Sequence, residues 1–328
     1  MGDRGCTEAG DGRAERRGRG RRTGPVVLVP SFRAAPVRVR VPATSANLGP
    51  GFDSAGLALT LYDDVIVRIA ESGLVVDVAG EGAESVPRDR RHLVVRSLRA
   101  TFDRLGGQPR GLEVVCANRI PHSRGLGSSS AAIVAAVVAA RALVLGGDEL
   151  LDDDASLALA TELEGHPDNV AACLRGGVTF AWGDPVQVLR LDAHPDLAPV
   201  AFVPPTRSST RKVRAMLPAT VPFTDAAANA GRSALLATAL STSPQLLLAA
   251  TEDRLHQQYR APAMPRTAKL VAALRRSGVA AVVSGAGPTV LALVRSADAE
   301  AVAAEVPKGW AVLPLQVEQQ GARVVPLD

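Results

Sequence analysis

One loop constrains this chain more than any other segment: the sequence PHSRGLGSSSA, from Pro121 to Ala131, lies between a strand-like segment and an apolar run that extends to Leu145. Glycine lets the backbone adopt conformations that other residues avoid and lets it approach a ligand closely. The apolar run predicts a buried helix with serines in its first turn, and the free N–H groups of a helix N-terminus bind anions. The loop therefore predicts a phosphate site.

Two common phosphate-binding loops do not account for this segment. A Walker A loop requires Gly-Lys-Ser/Thr, which does not follow here, and a dinucleotide-binding loop requires a third glycine where Ser130 stands. Taken alone, the segment could also be a tight turn between a strand and a helix.

Two further segments make the simple turn less adequate as an explanation. Pro42 to Asp53, PATSANLGPGFD, follows the first strand-like segment and is rich in small polar residues and glycine. Ser284 to Thr289, SGAGPT, lies between two apolar runs, where glycines indicate a close approach of the backbone to another group. Together, the three segments favour one composite ligand site.

Hydrophobic periodicity predicts mixed strands and helices along the rest of the chain. Val37 to Val41 alternates apolar and charged residues, so the ordered body is expected to begin there as a half-buried strand. Further strands are predicted at 64–70, 74–78, 112–117, 178–182, 186–191 and 199–203, and helices at 93–105, 131–145, 210–216, 225–240 and 268–276.

The acidic triplet Asp152, Asp153 and Asp154 precedes another predicted helix. Three adjacent carboxylates could suggest a metal site. At a helix start, however, they favour a cap that also complements the helix dipole, and we assign them no chemistry.

The three glycine-bearing segments, in this order, resemble the motifs of the GHMP kinases, and the resemblance extends from Val37 to the C-terminus. It implies an α+β fold of two domains. The N-terminal domain would contain a left-handed βαβ unit, similar to domain 2 of ribosomal protein S5, and the C-terminal domain would be ferredoxin-like. We accordingly expect a disordered Arg/Gly-rich leader over 1–35, an ATP-binding domain over 36–195 and a second domain over 196–328. A homodimer is also implied.

The resemblance places ATP against the phosphate loop, with Mg²⁺ beside it. The implied magnesium ligands are the hydroxyl of Ser129 and the carboxylate of Glu162, which matches the family's small-Glu-Leu pattern, with Glu164 as the alternative. The family normally has alanine where this chain has Ser130. The implied ATP-binding residues are Pro121, His122, Ser123, Arg124, Gly125, Leu126, Gly127, Ser128, Ser129, Ser130, Ala131, Gly285 and Gly287.

The segments 166–169 and 255–260 are similar to those of the GHMP kinases that phosphorylate homoserine. The resemblance thus implies the hydroxyl of L-homoserine as phosphoryl acceptor, a step of threonine biosynthesis. A carboxylate suits the substrate ammonium, and guanidinium groups suit its carboxylate. The implied substrate-binding residues are Asn47, Asp53, His166, Asn169, Arg214 and Arg260, and the implied catalytic residues are Asn169, Thr210 and Arg214.

No general base is assigned. Asp168 adjoins Asn169, but neighbouring side chains on a helix point about 100° apart, so both cannot face one hydroxyl. We expect Asp168 to be structural. Two alternatives remain open: a GHMP kinase acting on mevalonate or a sugar, and a non-catalytic GHMP-fold protein that binds a metabolite.

Composition excludes other classes of function. The net charge is +4, but seven arginines against four acidic residues within 1–24 supply +3 of it, and no nucleic-acid recognition motif accompanies them. The three cysteines show no zinc-binding or disulfide spacing, which favours a reducing cytoplasm. The longest apolar run, Ala131 to Ala140, is far shorter than the ~20 residues that span a bilayer.

Overall fold

The computed structural model of this protein describes residues 30–327, so most of the predicted leader lies outside the described residues. The described chain forms eleven strands: β1 (Val37–Ala46), β2 (Ala55–Ala70), β3 (Gly73–Gly80), β4 (Gly111–Asn118), β5 (Val178–Trp182), β6 (Gln187–Leu191), β7 (Leu197–Val203), β8 (Ala280–Val283), β9 (Val290–Arg295), β10 (Ala311–Pro314) and β11 (Arg323–Val325).

Helices cover these strands and connect them. The α-helices between residues 30 and 327 are α1 (Leu93–Arg104), α2 (Ser128–Leu143), α3 (Gly147–Leu150), α4 (Asp153–Glu164), α5 (Asp168–Arg175), α6 (Thr210–Arg214), α7 (Phe223–Ser241), α8 (Leu247–Ala250), α9 (Gln257–Arg260), α10 (Pro265–Arg276) and α11 (Ala299–Ala303).

The first sheet has the strand order β11-β1-β2-β4-β3, and β5 and β6 extend it from β2. All of its pairs are antiparallel except β3 with β4, which are parallel and are joined through α1 as a βαβ unit. In β1 the side chains of Val37, Val39 and Val41 are buried while the arginines between them are partly exposed, as the alternation predicts.

The second sheet has the order β10-β7-β9-β8, with every pair antiparallel. Numbered within this unit, that order is 4-1-3-2, and the chain order is strand, helices, two strands, helix, strand. This is the arrangement of a ferredoxin-like unit. The predicted α+β class with a ferredoxin-like second half is confirmed.

The second sheet begins with β7 at Leu197, next to the predicted domain boundary at 195. The chain nevertheless returns to the first sheet at its other end, because β11 pairs with β1 and Val317 forms a bridge to Leu59. The last residues of the predicted second domain therefore complete the first sheet.

Helix α2 is the central helix of the first half, and it packs on β1, α1 and α4. Its sequence is apolar on nearly every face, which is typical of a buried helix. These contacts hold the N-terminus of α2 at a fixed place beside the sheet.

Within residues 30–327, no helix is long and apolar enough to cross a membrane.

The acidic triplet acts as predicted. Asp152 caps α4 by accepting a hydrogen bond from the backbone N–H of Ala155 at 2.8 Å. Asp153 forms ion pairs with Arg141 and Arg175, so its carboxylate links α4 to α2 and α5.

Candidate active site

The three glycine-bearing segments, far apart in sequence, meet at one place. The Ser284 hydroxyl donates a hydrogen bond to the carbonyl of Gly125 at 2.6 Å. The side-chain amide of Asn47 donates to the carbonyl of Gly285 at 3.0 Å, and Gly285 N–H donates to the carbonyl of Ala46 at 3.1 Å. Each segment therefore holds another in place, and the three segments form one cluster of loops.

Glycine is required at two positions of the phosphate loop. Gly125 has φ +79° and Gly127 has φ +72°, the left-handed region that favours glycine. A Cβ at Gly125 would collide with the carbonyl oxygen of Ser284, and one at Gly127 with the Thr44 hydroxyl. The backbone here approaches its neighbours too closely for any side chain.

Strained backbone is concentrated at the same place. Among residues 30–327, the residues other than glycine with positive φ are Asn47, Leu48, Asp53 and Ser123. Three of them lie in the β1–β2 loop and one in the phosphate loop. Such conformations cost about 1–3 kcal/mol each and cluster at functional sites.

A cleft of about 360 Å³ opens between these loops and α6. It brings together predicted acceptor-binding, catalytic and phosphate-binding residues from both halves of the chain. Those that line it are Asn47, Asp53, Ser123, Gly125, Gly127, Ser128, Ser129, Glu164, His166, Asn169, Thr210, Arg214, Arg260 and Gly285.

A second cleft of about 250 Å³ lies on the other side of the α2 N-terminus. Strands β1, β2 and β4 and helix α1 line it with Val41, Val65, Val94 and other largely apolar groups. It shares Ser123, Ser128 and Ser129 with the first cleft. The predicted residues His122 and Ala131 line the second cleft but not the first. The first turn of α2 thus stands between two adjoining clefts.

Several predicted ATP-binding residues line neither cleft. They support the loop instead: Leu126 is fully buried in the core, and Arg124 donates to the carbonyls of Pro204, Pro205 and His122. The others in this group are Pro121, Ser130 and Gly287.

The α2 N-terminus has the features of an anion site. Its N-cap is Gly127, which has no side chain to accept from the first N–H groups of the helix. These donors and the positive end of the helix dipole are therefore left for an external anion.

Ser129 and Glu164 lie together at this N-terminus. Glu164 Oε1 accepts a hydrogen bond from the Ser129 hydroxyl at 2.6 Å and one from the Ser130 hydroxyl at 2.8 Å. No cluster of three or more His, Cys, Asp or Glu suited to metal binding occurs among residues 30–327. A hydroxyl beside a carboxylate is nevertheless a donor set that suits Mg²⁺, which commonly completes its shell with phosphates and water.

The structure does not bring Glu162, the first choice from the sequence, to Ser129. Its side chain is 63% exposed and pairs with Arg104 at 2.7 Å. Residues two apart on a helix face different directions, so only one of Glu162 and Glu164 can face the phosphate loop. The geometry corrects the order of preference in favour of Glu164.

The cationic groups of the cleft differ in their partners. Both terminal nitrogens of Arg214 donate to the carboxylate of Asp53. Arg260 is only 2% exposed and has no carboxylate partner among the described residues, and its Nε has no hydrogen-bond partner there either. Burial lowers the pKa of Arg260 below its ordinary value, although a guanidinium stays charged.

His166 and Asn169 flank the buried Asp168. Asp168 Oδ1 lies 3.3 Å from His166 Nδ1 and accepts the backbone N–H of Asn169 at 2.8 Å, and this carboxylate raises the pKa of His166. The Oδ1 of Asn169 accepts from the Thr44 hydroxyl at 2.8 Å. Asp168 is 3% exposed, is the first residue of α5 and also lines the cleft.

Sequence reasoning missed other members of the site. Phe52 stacks beside two arginines, with the guanidinium of Arg214 5.4 Å and that of Arg260 5.2 Å from its ring centroid. His256 is fully buried below them. Asp63 lines the second cleft. Phe52 and His256 lie within the segments 42–53 and 255–260 that the sequence had already singled out, and Asp63 is one of two adjacent carboxylates on a largely apolar strand.

Comparison with known proteins agrees with this geometry. Models of the GHMP kinase N-terminal and C-terminal domains match residues 92–177 and 227–312. A homoserine kinase of Streptomyces avermitilis is 63% identical over 300 residues, which cover 91% of this chain and 98% of that protein. A homoserine kinase of Clavibacter michiganensis subsp. michiganensis is 52% identical over 300 residues, with 89% and 95% covered. The crystal structure of homoserine kinase from Cytophaga hutchinsonii superposes with a TM-score of 0.78 at 27% identity, covering 90% of this chain and 98% of that one. The chain therefore belongs to the GHMP kinase family, in which these relatives are homoserine kinases.

Proposed function

We propose that this enzyme transfers the terminal phosphoryl group of MgATP to the hydroxyl of L-homoserine, giving O-phospho-L-homoserine and ADP. The observation that carries the proposal is the buried guanidinium of Arg260, which lines the cleft without a carboxylate partner among residues 30–327. A buried charge without a counter-ion is costly. The cleft therefore favours an acceptor that brings its own carboxylate.

The pairing of Arg214 with Asp53 adds a second feature. An amino acid is a zwitterion, and the cleft presents the carboxylate of Asp53 together with the guanidinium groups of Arg214 and Arg260. The ammonium of homoserine would bind Asp53, and its carboxylate would bind Arg260 and the adjacent Arg214. An uncharged sugar would satisfy neither charge, so this arrangement favours an amino acid over a sugar.

The nucleotide would span the two clefts. Its adenosine would occupy the cleft of about 250 Å³, whose walls are largely apolar, and its phosphates would lie at the α2 N-terminus between the clefts. Ser129 and Glu164 would hold Mg²⁺, which supplies charge neutralisation for the transferring phosphoryl group. In this arrangement the γ-phosphate faces the acceptor cleft.

The residues of the cleft would act mainly by positioning. The acceptor oxygen forms a bond to the γ-phosphorus as the bond to the oxygen bridging the β-phosphate breaks, and the hydroxyl proton leaves to solvent. Asn169, fixed by Thr44, would orient the hydroxyl, and Thr210 would contact the phosphoryl group. Asp168 is buried and already accepts from Asn169, so it is not available as a base. Orientation and charge stabilisation can supply most of the catalysis of phosphoryl transfer.

The test compares L-homoserine with 3-aminopropanol, which keeps the amine and hydroxyl but has no carboxylate. Wild-type enzyme should strongly prefer homoserine. Arg260→Ala should lower kcat/KM for homoserine about tenfold to a hundredfold, since one charge-assisted contact is worth about 1.5–3 kcal/mol, and should lose much of the preference. Equal losses for both acceptors, or an unchanged preference, would refute the carboxylate contact.

A further inference from the structure

One terminal nitrogen of the Arg260 guanidinium, Nη1, already has partners within the protein. His256 Nδ1 lies 3.3 Å from Nη1, and the carbonyl oxygen of Gly285 lies 3.4 Å from the same nitrogen. Within residues 30–327, neither Nε nor Nη2 of Arg260 has a hydrogen-bond partner. These two nitrogens form one edge of the guanidinium, with parallel N–H donors that match a carboxylate. The contacts at Nη1 therefore leave Nη2 free for a ligand, while Nε is buried without a partner.

The partners of His256 fix its tautomer. Its Nε2 lies 2.8 Å from the carbonyl oxygen of Gly49, which can only accept, so Nε2 carries the proton. Arg260 Nη1 can only donate, so Nδ1 is the acceptor. The ring is consequently neutral, and burial lowers the pKa of His256 in agreement with this state.

A nearby carboxylate does not change this assignment. Asp253 Oδ2 lies 3.6 Å from His256 Nε2, but the same oxygen accepts the backbone N–H groups of His256 at 3.2 Å and Gln257 at 2.7 Å. Asp253 therefore caps the turn that begins α9, while Nε2 donates to the nearer carbonyl of Gly49.

The ring is also fixed by packing. His256 is fully buried, and its ring centroid lies 5.0 Å from that of Phe52. The guanidinium of Arg260 lies over the same Phe52 ring, 5.2 Å from its centroid. His256 and Arg260 are thus held relative to each other by a hydrogen bond and by a shared aromatic neighbour.

We propose that His256 is a positioning residue, which sets the orientation of Arg260 so that its Nη2 donor faces the acceptor carboxylate. Through Gly49 it also ties the guanidinium to the β1–β2 loop, which carries Asp53. The inference rests on the proposed contact between Arg260 and homoserine. Without the acceptor at Nδ1, the guanidinium can turn about its last torsions, and its free donor is no longer aligned with the substrate.

Two variants test the roles of the two ring nitrogens of His256 separately. In His256→Asn the side-chain oxygen can take the place of Nδ1 and accept from Arg260, whereas the contact with Gly49 is lost. In His256→Gln the side-chain nitrogen can take the place of Nε2 and donate to Gly49, whereas the acceptor for Arg260 is lost. The kinetic constants of both are measured with L-homoserine, 3-aminopropanol and ATP, together with their melting temperatures.

His256→Gln should raise KM for homoserine about tenfold, as expected for one impaired charge-assisted contact. The KM for ATP and kcat/KM for 3-aminopropanol should change less than about twofold, and His256→Asn should keep more of the preference for homoserine. Equal losses with both acceptors, or no loss with either, would overturn the proposal. A wild-type enzyme that shows no preference between the acceptors would instead refute the carboxylate contact of Arg260, and the positioning role with it.

A measurement on the wild type keeps the proposal testable if neither variant folds. Nitrogen-15 NMR of labelled histidine rings should show His256, one of the five histidines of the chain, as a neutral ring with the proton on Nε2 from about pH 7 to 8. A proton on Nδ1, or a charged ring in that range, would contradict the acceptor role of Nδ1 and overturn the proposal.

Discussion

Glu164 accepts hydrogen bonds from two consecutive serines, and the bond from Ser129 is 2.6 Å long. Glu164→Gln should therefore lower kcat by orders of magnitude while the protein remains folded, because it removes a charge that would hold Mg²⁺ against the phosphates. Glu162→Gln is the matched control, since it removes only an exposed pair with Arg104. Activity as low in the control as in Glu164→Gln would contradict the assignment.

The close approach of the phosphate loop to Ser284 predicts a graded effect of alanine. Gly125 and Gly165 both have positive φ, at +79° and +92°, but a Cβ at Gly125 meets backbone oxygen whereas one at Gly165 meets nothing within 4 Å. Gly165→Ala should cost about 1 kcal/mol of stability from backbone strain alone. Gly125→Ala should cost more and should also raise KM for ATP. Chemical denaturation of the two variants checks the ranking, and equal losses of stability would contradict it.

Asp63 predicts a pH dependence of stability. Burial raises its pKa from 3.8 to about 6, although it accepts the backbone N–H groups of Arg119 and Ile120. The folded protein thus binds this proton more tightly than the unfolded chain, so the contribution to stability is fully present below about pH 3.8 and is lost as the pH rises through about 6. Relative to wild type, Asp63→Asn should become more stable by up to about 3 kcal/mol between pH 4 and 7.

The adjacent Asp64 provides a control of opposite sign. Hydrogen bonds from Arg40 and Arg38 outweigh its burial and lower the pKa of Asp64. Its contribution to stability is therefore present at neutral pH and is lost only on acidification below its ordinary pKa. Asp64→Asn should have a lower free energy of unfolding than wild type, by a nearly constant amount between pH 5 and 7. Urea unfolding at several pH values measures both, and parallel curves for wild type and Asp63→Asn would contradict the prediction for Asp63.

Local chemistry explains which parts of the fold were predictable. The strand alternation from Val37, the apolar character of α2 and the capping by Asp152 depend on residues close in sequence, and all three predictions are confirmed. The return of β11 to β1 depends on pairing between residues almost 290 positions apart, such as Arg38 and Val325, which no local pattern specifies.

Prediction of the site is limited in the same way, by contacts between residues that are far apart in sequence. The tight backbone of the phosphate loop could be predicted because glycines such as Gly125 allow conformations and close contacts that other residues do not. The contact of His256 with Gly49 joins residues 207 positions apart, and the choice between Glu162 and Glu164 depends on how α4 is rotated against α2. Tertiary packing decides both, so a single sequence could supply the candidates but not their order. The magnesium and homodimer predictions remain to be tested.

The central claim is that homoserine is the phosphoryl acceptor, and a coupled assay of ADP release tests it most directly. The purified enzyme would be supplied with MgATP and, in parallel, with L-homoserine, mevalonate, galactose or shikimate. Our account predicts that homoserine stimulates ADP release far above the others and that the product is O-phospho-L-homoserine, because only homoserine offers both a carboxylate for Arg260 and an ammonium for Asp53. ADP release that is insensitive to homoserine but strongly stimulated by another alcohol of the panel would contradict it.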